Sequence, residues 1–438
     1  SFCFKKYGDN LKSSSFDRGS NNMATLLLII IYITFISLGL PDSMLGSSFP
    51  AIADNLNLSS DLAGYIGIVV SICTIISSLC SSYLIRKFST KIVVSVSVVL
   101  TAIALLLFSF VKEGYGWAFF LIAIPLGLGA GAIDSALNNY VALHYKAIHM
   151  NWLHAFWGIG ASIGPLIIGA FIDANNQSRG WNYGVLTIAC IQLGISILLF
   201  ATLPLWNKVM EKNKKDETEK EKKEEAEEEI KRSTILKDPI FYLTVIGFFC
   251  YCALESSTGL WVGSFFNKNM GSTTDEAAML TSTFYIGITV GRLICGPLSL
   301  KMNEKQMIRM GESIILLGIV LTLIQVNKYI PMVGFVIVGL GCAPIYPAII
   351  RSTPYRFSKA GSQSAMGLEM ASAYVGNLSM PPLIGLIARS IGDNYSILPY
   401  FMIGFAALMI ICHETINEKT RRRDKKLSSE ELKRYQAY

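Results

Sequence analysis

The chain has 438 residues, of which 52% are hydrophobic and only 16% are charged, and its mean hydropathy is +0.46. This composition excludes an ordinary soluble enzyme or binding domain of this length and predicts an integral membrane protein. The net charge of +7 does not by itself indicate a nucleic-acid partner, because its distribution along an apolar chain matters more than its sum.

Apolar segments of about 20 residues, the length that crosses a bilayer, recur along the chain. We predict twelve spans, all helical, because lipid offers no partner to an unpaired backbone group. They cover residues 24–50, 62–84, 92–111, 116–143, 151–173, 183–206, 239–266, 276–300, 307–326, 330–350, 363–389 and 395–413. The predicted fold class is all-α integral membrane.

A segment that alternates Lys and Glu, residues 207–238, separates the spans into two sets of six. It predicts a charged cytoplasmic linker between bundles at 23–206 and 239–413. Residues 1–22 have no signal-peptide pattern, and we expect a disordered extension there. Residues 414–438 form a basic tail.

Short motifs recur at corresponding positions of the two sets. "YIGIVVS" at 65–71 matches "YIGITVG" at 285–291, "GLGAGAI" at 127–133 matches "GLGCAPI" at 339–345, and "PLIIG" at 165–169 matches "PLIG" at 382–385. The order and offset predict parallel repeats, related by a pseudo-twofold axis along the membrane normal. A similar offset places Asp42 of "DSMLG" opposite Glu255 of "ESSTG".

Basic residues are unequally divided between the two sets of loops. The loops after spans 2, 4, 8 and 10 carry Arg86, Lys87, Lys91, Lys146, Lys301, Lys305, Arg309, Arg351, Arg356 and Lys359. The opposite loops carry Lys112, Arg179, Lys268, Lys328 and Arg389. The positive-inside rule predicts that both termini are cytoplasmic.

Acids inside apolar spans are the main functional signal. An ionised carboxylate at mid-bilayer costs about 2.5 to 3.5 kcal/mol, so Asp42 and Asp134 must face the bundle interior, pair, or take up a proton. Alternating exposure of such a group is what proton coupling requires. The alternative is that each acid only holds helices together.

Spans 4, 5 and 7 supply further candidates. Asn138 shares a helix face with Asp134, and we group Asn139 with it as a binder of sugar hydroxyls; interhelical hydrogen bonding is the alternative. His154 is a candidate proton relay to Asp134, or a neutral side chain satisfied by a neighbouring helix. Two tryptophans, Trp157 and Trp261, are candidate stacking surfaces for a sugar ring, or packing residues.

Polar residues also lie in the second set of spans. Glu255, Glu369 and Asn377 are candidate substrate-binding residues. Arg292 in span 8 requires a carboxylate partner, so Glu255 or Glu369 is alternatively its counter-ion. The nine cysteines show no metal-binding spacing, and we expect no metal and no cofactor.

Twelve spans, a six-plus-six repeat and a charged central loop resemble the major facilitator superfamily over residues 24–413. Within it, "GLPDSMLGSSFPAI", "GAIDSALNNYV", "MNWLHAFWGIGASIGPLI" and "YCALESSTGLWVGSFF" resemble the fucose:proton symporter family. The resemblance implies that Asp42 and Asp134 connect proton binding with sugar binding. The loop "SSYLIRKFSTK" lacks the Gly and Asp of the superfamily motif, and Trp157 aligns with an Asn of the L-fucose permeases.

We predict a secondary transporter of the cell membrane, not an enzyme, that carries a monosaccharide in symport with protons by alternating access. Its expected partners are a small-molecule sugar and the lipid bilayer, with no nucleic acid, and we expect a monomer. Na⁺ is the alternative coupling ion. A proton-driven exporter of amphipathic compounds and a sugar receptor that does not transport are two further functions that this sequence allows.

Overall fold

The computed structural model describes residues 3–145, 147–172, 180–206 and 237–425. Twelve segments of this part of the chain are long and apolar enough to cross a membrane. The helices are α1 Cys3–Leu56, α2 Leu62–Phe88, α3 Thr90–Ser109, α4 Ala118–His144, α5 Ala147–Phe171, α6 Trp181–Ala201, α7 Pro239–Ser264, α8 Thr274–Leu298, α9 Glu304–Leu323, α10 Tyr329–Cys342, α11 Ile345–Ser390 and α12 Leu398–Asp424. The predicted fold class is confirmed.

Two of the described helices, α7 and α9, begin where the local sequence provides a side-chain cap. The Asp238 carboxylate accepts a hydrogen bond from the backbone N–H of Ile240 at 2.8 Å, and Pro239 occupies the first turn of α7. Asn303 and Gln306 form a reciprocal capping box at the start of α9. Such caps satisfy backbone donors that the first turn leaves unpaired, so they fix where these two helices begin.

Three helices extend furthest beyond the predicted spans. Helix α1 continues to Leu56, α12 continues to Asp424, and α11 is helical across the predicted loop between spans 10 and 11. In α12, Glu418 pairs with Arg421 at 2.7 Å and with Arg422 at 2.8 Å. Hydropathy detects only the part of a helix that lies in lipid, whereas ion pairs one turn apart extend the helix beyond it.

The predicted domain boundaries fall partly outside the described residues. Residues 207–236 of the charged linker and 426–438 of the basic tail lie outside them. Helix α1 begins at Cys3, so its backbone is helical within the segment predicted as an extension. The part of α1 that is long and apolar enough to cross a membrane lies within Met23–Leu56.

The N-terminal half (α1–α6) and the C-terminal half (α7–α12) repeat the same helix packing. A Cβ at Gly127 of α4 would lie 2.3 Å from the carbonyl oxygen of Val70 in α2. A Cβ at Gly339 of α10 would lie 2.1 Å from the carbonyl oxygen of Phe284 in α8. The glycines of the second repeated motif therefore allow equivalent helix pairs to approach closely in both halves.

The two halves meet along α1 and α7, α5 and α8, and α2 and α11. A Cβ at Gly46 of α1 would lie 2.5 Å from the carbonyl oxygen of Gly259 in α7. A Cβ at Gly158 of α5 would lie 2.4 Å from Thr289 Oγ1 of α8. Between these contacts the halves enclose a cavity.

Candidate functional site

The cavity between the halves has a volume of about 420 Å³. This is within the range of small-molecule binding sites. Its wall combines apolar side chains with a few ionisable ones: Asp42, Asp134, His154, Glu255 and Arg292. The sequence predicts site roles for the first four and treats Arg292 as the counter-ion of an acid.

A proline in α1 precedes the first of these acids. Pro41 has no N–H, so the carbonyl oxygen of Ser37, four residues earlier, loses its helical partner. The Gln192 side-chain amide of α6 donates to that oxygen at 2.7 Å, and Gln192 is fully buried. Because this bond satisfies the freed carbonyl, α1 carries a proline beside Asp42 in the middle of the bundle.

Asp42 is exposed to the cavity, although α1 lies deep within the bundle. The Trp157 indole N–H of α5 donates to Asp42 Oδ2 at 2.7 Å. Trp157 also lines the cavity. The structure therefore places the predicted stacking residue as a hydrogen-bond donor to the predicted proton site.

Asp134 and Asn138 share a face of α4, as their spacing predicts. The Asn138 amide donates to Asp134 Oδ1 at 2.8 Å. Only Asp134 lines the cavity. Asn138 Oδ1 is buried and has no hydrogen-bond partner among the described residues. Asn139 points away from the cavity and is exposed, because it is one residue further around the helix.

His154 lines the same cavity as Asp134. Both residues are described, and the structure gives no hydrogen bond between them. The His154 ring packs edge-on against Phe35, with centroids 5.9 Å apart, and lies 6.4 Å from the ring of Tyr346. A direct relay between His154 and Asp134 is therefore absent from this arrangement of described residues.

Arg292 of α8 makes the ionic contact that its position in a span requires. Its Nη2 lies 3.8 Å from Glu255 Oε1. Its Nη1 donates to the backbone carbonyl oxygen of His154 at 3.1 Å, and its guanidinium lies 5.0 Å from the centroid of the Trp157 ring. Of the two acids weighed as its counter-ion, the structure brings Glu255 to it.

Trp261 and Glu369 do not line the cavity. Trp261 is fully buried, its indole N–H donates to the Pro381 carbonyl oxygen at 2.8 Å, and its ring packs 5.0 Å from Tyr395. Glu369 is fully buried and accepts a hydrogen bond from Thr353 Oγ1 at 2.8 Å. Trp261 is satisfied by a neighbouring helix, which corresponds to a packing role. The partner of Glu369 lies on the same helix α11, and Glu369 Oε1 is buried with no hydrogen-bond partner among the described residues. Asn377 lies in the cavity wall.

Three tyrosines of the C-terminal half line the cavity without having been predicted as site residues: Tyr285, Tyr346 and Tyr374. Two of them could have been predicted from the repeat, because they align with site residues of the N-terminal half. Tyr346 is opposite Asp134, and the offset of the "PLIIG" match places Tyr374 opposite Trp157. A residue opposite a site residue in a pseudo-twofold repeat faces the same central space.

One end of the bundle, where α1 ends and α2 begins, carries ionic contacts between the halves; we call it the α1–α2 end. Arg389 Nη1 lies 3.1 Å from Asp61 Oδ1, and Lys268 Nζ lies 3.3 Å from Asp54 Oδ1. Ser60 also donates to Asp393. These bonds join the halves at this end of the molecule.

The described residues contain no group of three or more His, Cys, Asp or Glu side chains that could hold a metal ion. Cys250 and Cys252 of α7 are buried free thiols.

Comparison with known sequences gives relatives that include a named transporter. The chain is 22% identical to "Bypass of stop codon protein 6" of Saccharomyces cerevisiae, over 89% of this chain and 82% of the relative. It is 24% identical to "Glucose/mannose transporter GlcP" of Bacillus subtilis, over 81% of this chain and 86% of the relative. It is 24% identical to "Multidrug resistance protein 2" of Bacillus subtilis, over 89% and 94%.

Solved structures share the fold. The xylose transporter XylE from E. coli, in its inward open conformation, superposes with a TM-score of 0.69 at 13% identity, covering 90% of this chain and 95% of that one. The transporter FucP, in its outward conformation, superposes with a TM-score of 0.58 at 14% identity, covering 89% and 98%.

The family model of the Major Facilitator Superfamily matches residues 31–311 and 244–435, which together span both halves. Two six-helix halves around a central cavity fit this match. The chain therefore belongs to the Major Facilitator Superfamily of membrane transporters, and its relatives include a sugar transporter.

Proposed function

We propose that the protein carries a neutral monosaccharide together with protons across the cell membrane. The observation that carries this proposal is the surroundings of the Asp42 and Asp134 carboxylates. Both lie at the wall of the central cavity, and their hydrogen-bond partners are neutral groups. Among the described residues, neither forms an ion pair with Lys or Arg. Such carboxylates can exchange a proton without breaking a salt bridge.

The charge of the cavity supports a neutral solute. Arg292 and Glu255 compensate each other, so protonation of Asp42 and Asp134 leaves a wall with little net charge. Asn377 and the three tyrosines provide donors and acceptors for hydroxyl groups. The relative named a glucose/mannose transporter supports a hexose.

Alternating access follows from the two-half architecture. The contacts at the α1–α2 end hold that end closed. The basic loops lie at the opposite end, which supports a cytoplasmic position for that end and for both termini. This conformation then faces the cytoplasm. A membrane potential supplies about 2.3 kcal/mol per charge per 100 mV, which can drive accumulation of a neutral solute with its proton.

Reconstitution into proteoliposomes tests the proposal. We expect an inward proton gradient to drive accumulation of labelled glucose or mannose, and a protonophore to abolish it. Sugar uptake that requires Na⁺ and does not depend on pH would show that Na⁺ is the coupling ion and that the substrate is still a sugar. If no sugar undergoes counterflow exchange, the proposed substrate class is wrong.

A proton-driven exporter of amphipathic compounds is the second candidate. The relative named a multidrug resistance protein favours it, as does a wall with three carboxylates and one guanidinium, which suits organic cations. The same vesicles discriminate the two candidates. Proton-driven movement of a hydrophobic cation out of the compartment that mimics the cytoplasm, with no sugar uptake, would select the exporter.

A further inference from the structure

Arg292 is a cavity residue that contacts both halves of the protein. Its Nη1 donates to the His154 carbonyl oxygen of the N-terminal half at 3.1 Å. Its Nη2 lies 3.8 Å from Glu255 Oε1 of the C-terminal half. The arginine side chain is only 13% exposed.

A second contact connects Arg292 to the proton site. The guanidinium lies 5.0 Å from the Trp157 ring centroid, which is within the range of a cation–π interaction. The same indole donates its N–H to Asp42 Oδ2 at 2.7 Å. Contacts therefore run from Asp42 through Trp157 to Arg292, and they cross from one half to the other.

Proton binding at Asp42 changes both parts of this chain of contacts. A hydrogen bond to an ionised acceptor is about twice as strong as one to a neutral acceptor, so a protonated Asp42 holds Trp157 more weakly. It also removes a negative charge from the wall that Arg292 faces. The 3.8 Å separation from Glu255 exceeds a hydrogen bond, so the guanidinium has room to approach Glu255 more closely.

A shift of Arg292 would affect how the two halves contact each other, because Arg292 lies beside the contact between α5 and α8. One turn away, α5 and α8 are in direct contact, because Ser162 Oγ lies 3.2 Å from Thr289 Oγ1. A Cβ at Gly158 would lie 2.4 Å from the same Thr289 oxygen. Arg292 therefore acts beside a close part of the α5–α8 contact.

We propose that Arg292 is a positioning residue that transmits the proton occupancy of Asp42, through Trp157, to the contact between the two halves. With Asp42 ionised, the Arg292 side chain stays bound to the His154 carbonyl oxygen of α5, and the two halves remain joined there. With Asp42 protonated, the guanidinium moves toward the Glu255 carboxylate, and α5 is released from α8. The inference uses only the proton-binding part of the proposed function. The other titratable or charged side chains that face these groups are Asp134 of α4, His154 of α5, Tyr251 and Cys252 of α7, Tyr285 and Cys295 of α8, Cys342 of α10, and Tyr346, Arg351 and Tyr374 of α11.

The distance between the halves, measured without sugar, tests the inference. Spin labels at Tyr83→Cys, at the end of α2, and Leu300→Cys, after α8, are in different halves at highly exposed positions. The exposed native thiols Cys80 and Cys190 are replaced by Ser. In nanodiscs, we expect the inter-label distance to differ between alkaline and acidic buffer. The variants Asp42→Asn, Trp157→Phe and Arg292→Gln lose this difference and keep the acidic distance.

A second measurement shows that Arg292→Gln, which loses the change in distance, is folded. With fluorinated tryptophan, the Trp157 resonance is assigned by its absence in Trp157→Phe. We expect this resonance to respond to pH in the unsubstituted chain and in Arg292→Gln, and not in Asp42→Asn. Arg309→Gln removes an arginine that pairs with Glu414 within one half, and it retains both responses.

The inference is overturned if Arg292→Gln keeps the pH-dependent change in distance. It is also overturned if Asp42→Asn keeps that change, because the signal then originates at another group. If the protein transports sugar but the inter-label distance does not depend on pH, the inference is wrong and the proposed function stands. If the distance depends on pH but the protein transports no sugar, the inference stands and the proposed substrate is wrong.

Discussion

Asp42 and Asp134 line the same cavity, but their partners lie on different elements. The partner of Asp42 is Trp157 of another helix, whereas the partner of Asp134 is Asn138 of the same helix. A proton on Asp42 therefore changes a contact between helices. A proton on Asp134 changes a contact within one helix and leaves the helix pairing intact.

Replacing each acid by its amide separates accumulation from binding. We expect Asp42→Asn and Asp134→Asn to abolish proton-driven accumulation, because neither side chain then gains or loses a proton. Counterflow exchange, which needs no net proton movement, should persist in Asp42→Asn, and Asp134→Asn should also alter sugar affinity. Uptake of labelled sugar with and without a gradient measures both quantities.

The control for this pair is Glu414→Gln, which removes an exposed carboxylate that pairs with Arg309. It should leave accumulation unchanged. If Asp42→Asn retains pH-dependent accumulation, Asp42 is not the proton site.

At the scale of helices, glycines decide how closely equivalent pairs pack. The two helix pairs α2–α4 and α8–α10 use Gly127 and Gly339 in the same way, and in both cases the neighbour is a backbone oxygen rather than a flexible side chain. A backbone cannot rotate away from an added methyl group, so the helices must separate. Gly194 of α6, by contrast, has open space around its Cβ position.

Alanine substitutions test this packing. We expect Gly127→Ala and Gly339→Ala each to lower the stability of the protein by about 1–3 kcal/mol, the usual cost of overpacking. Gly194→Ala should be neutral or slightly stabilising, since alanine is the better helix former. Thermal unfolding of the purified protein in one detergent measures the order of the midpoints. Equal midpoints for all three variants would contradict the close approach.

At the scale of the whole molecule, the ionic contacts at the α1–α2 end hold the halves together on one side of the cavity. The Asp61 side chain is 2% exposed, whereas that of its partner Arg389 is 55% exposed. A buried carboxylate that loses its partner is destabilised far more than an exposed one. Breaking this pair should therefore favour separation of the halves at this end.

We expect Arg389→Gln to increase access to the cavity from the α1–α2 end. A reporter cysteine, Ser71→Cys in the cavity wall, should react severalfold faster with a membrane-impermeant maleimide applied from that side, in a chain lacking Cys80 and Cys190. Lys328→Gln, which breaks an ion pair with Glu276 within one half, is the matched control and should not change the rate. Equal rates in all three proteins would show that the Arg389 contact does not hold this end closed.

The amino-acid sequence by itself determined the membrane class, the number of spans, the repeat and the acids of the cavity. Each of these is a local or periodic property, because a span is a run of apolar residues and Asp42 is conspicuous inside one.

Only the tertiary structure decided which polar residues meet. Trp157 and Trp261 are equally apolar in sequence, yet Trp157 donates a hydrogen bond to Asp42 at the cavity wall while Trp261 is buried beside Tyr395. Glu255 and Glu369 were equal candidates for Arg292, and the packing of α7 beside α8 brought only Glu255 within reach. Such choices depend on how helices rotate and cross, which the hydropathy of a single segment does not contain.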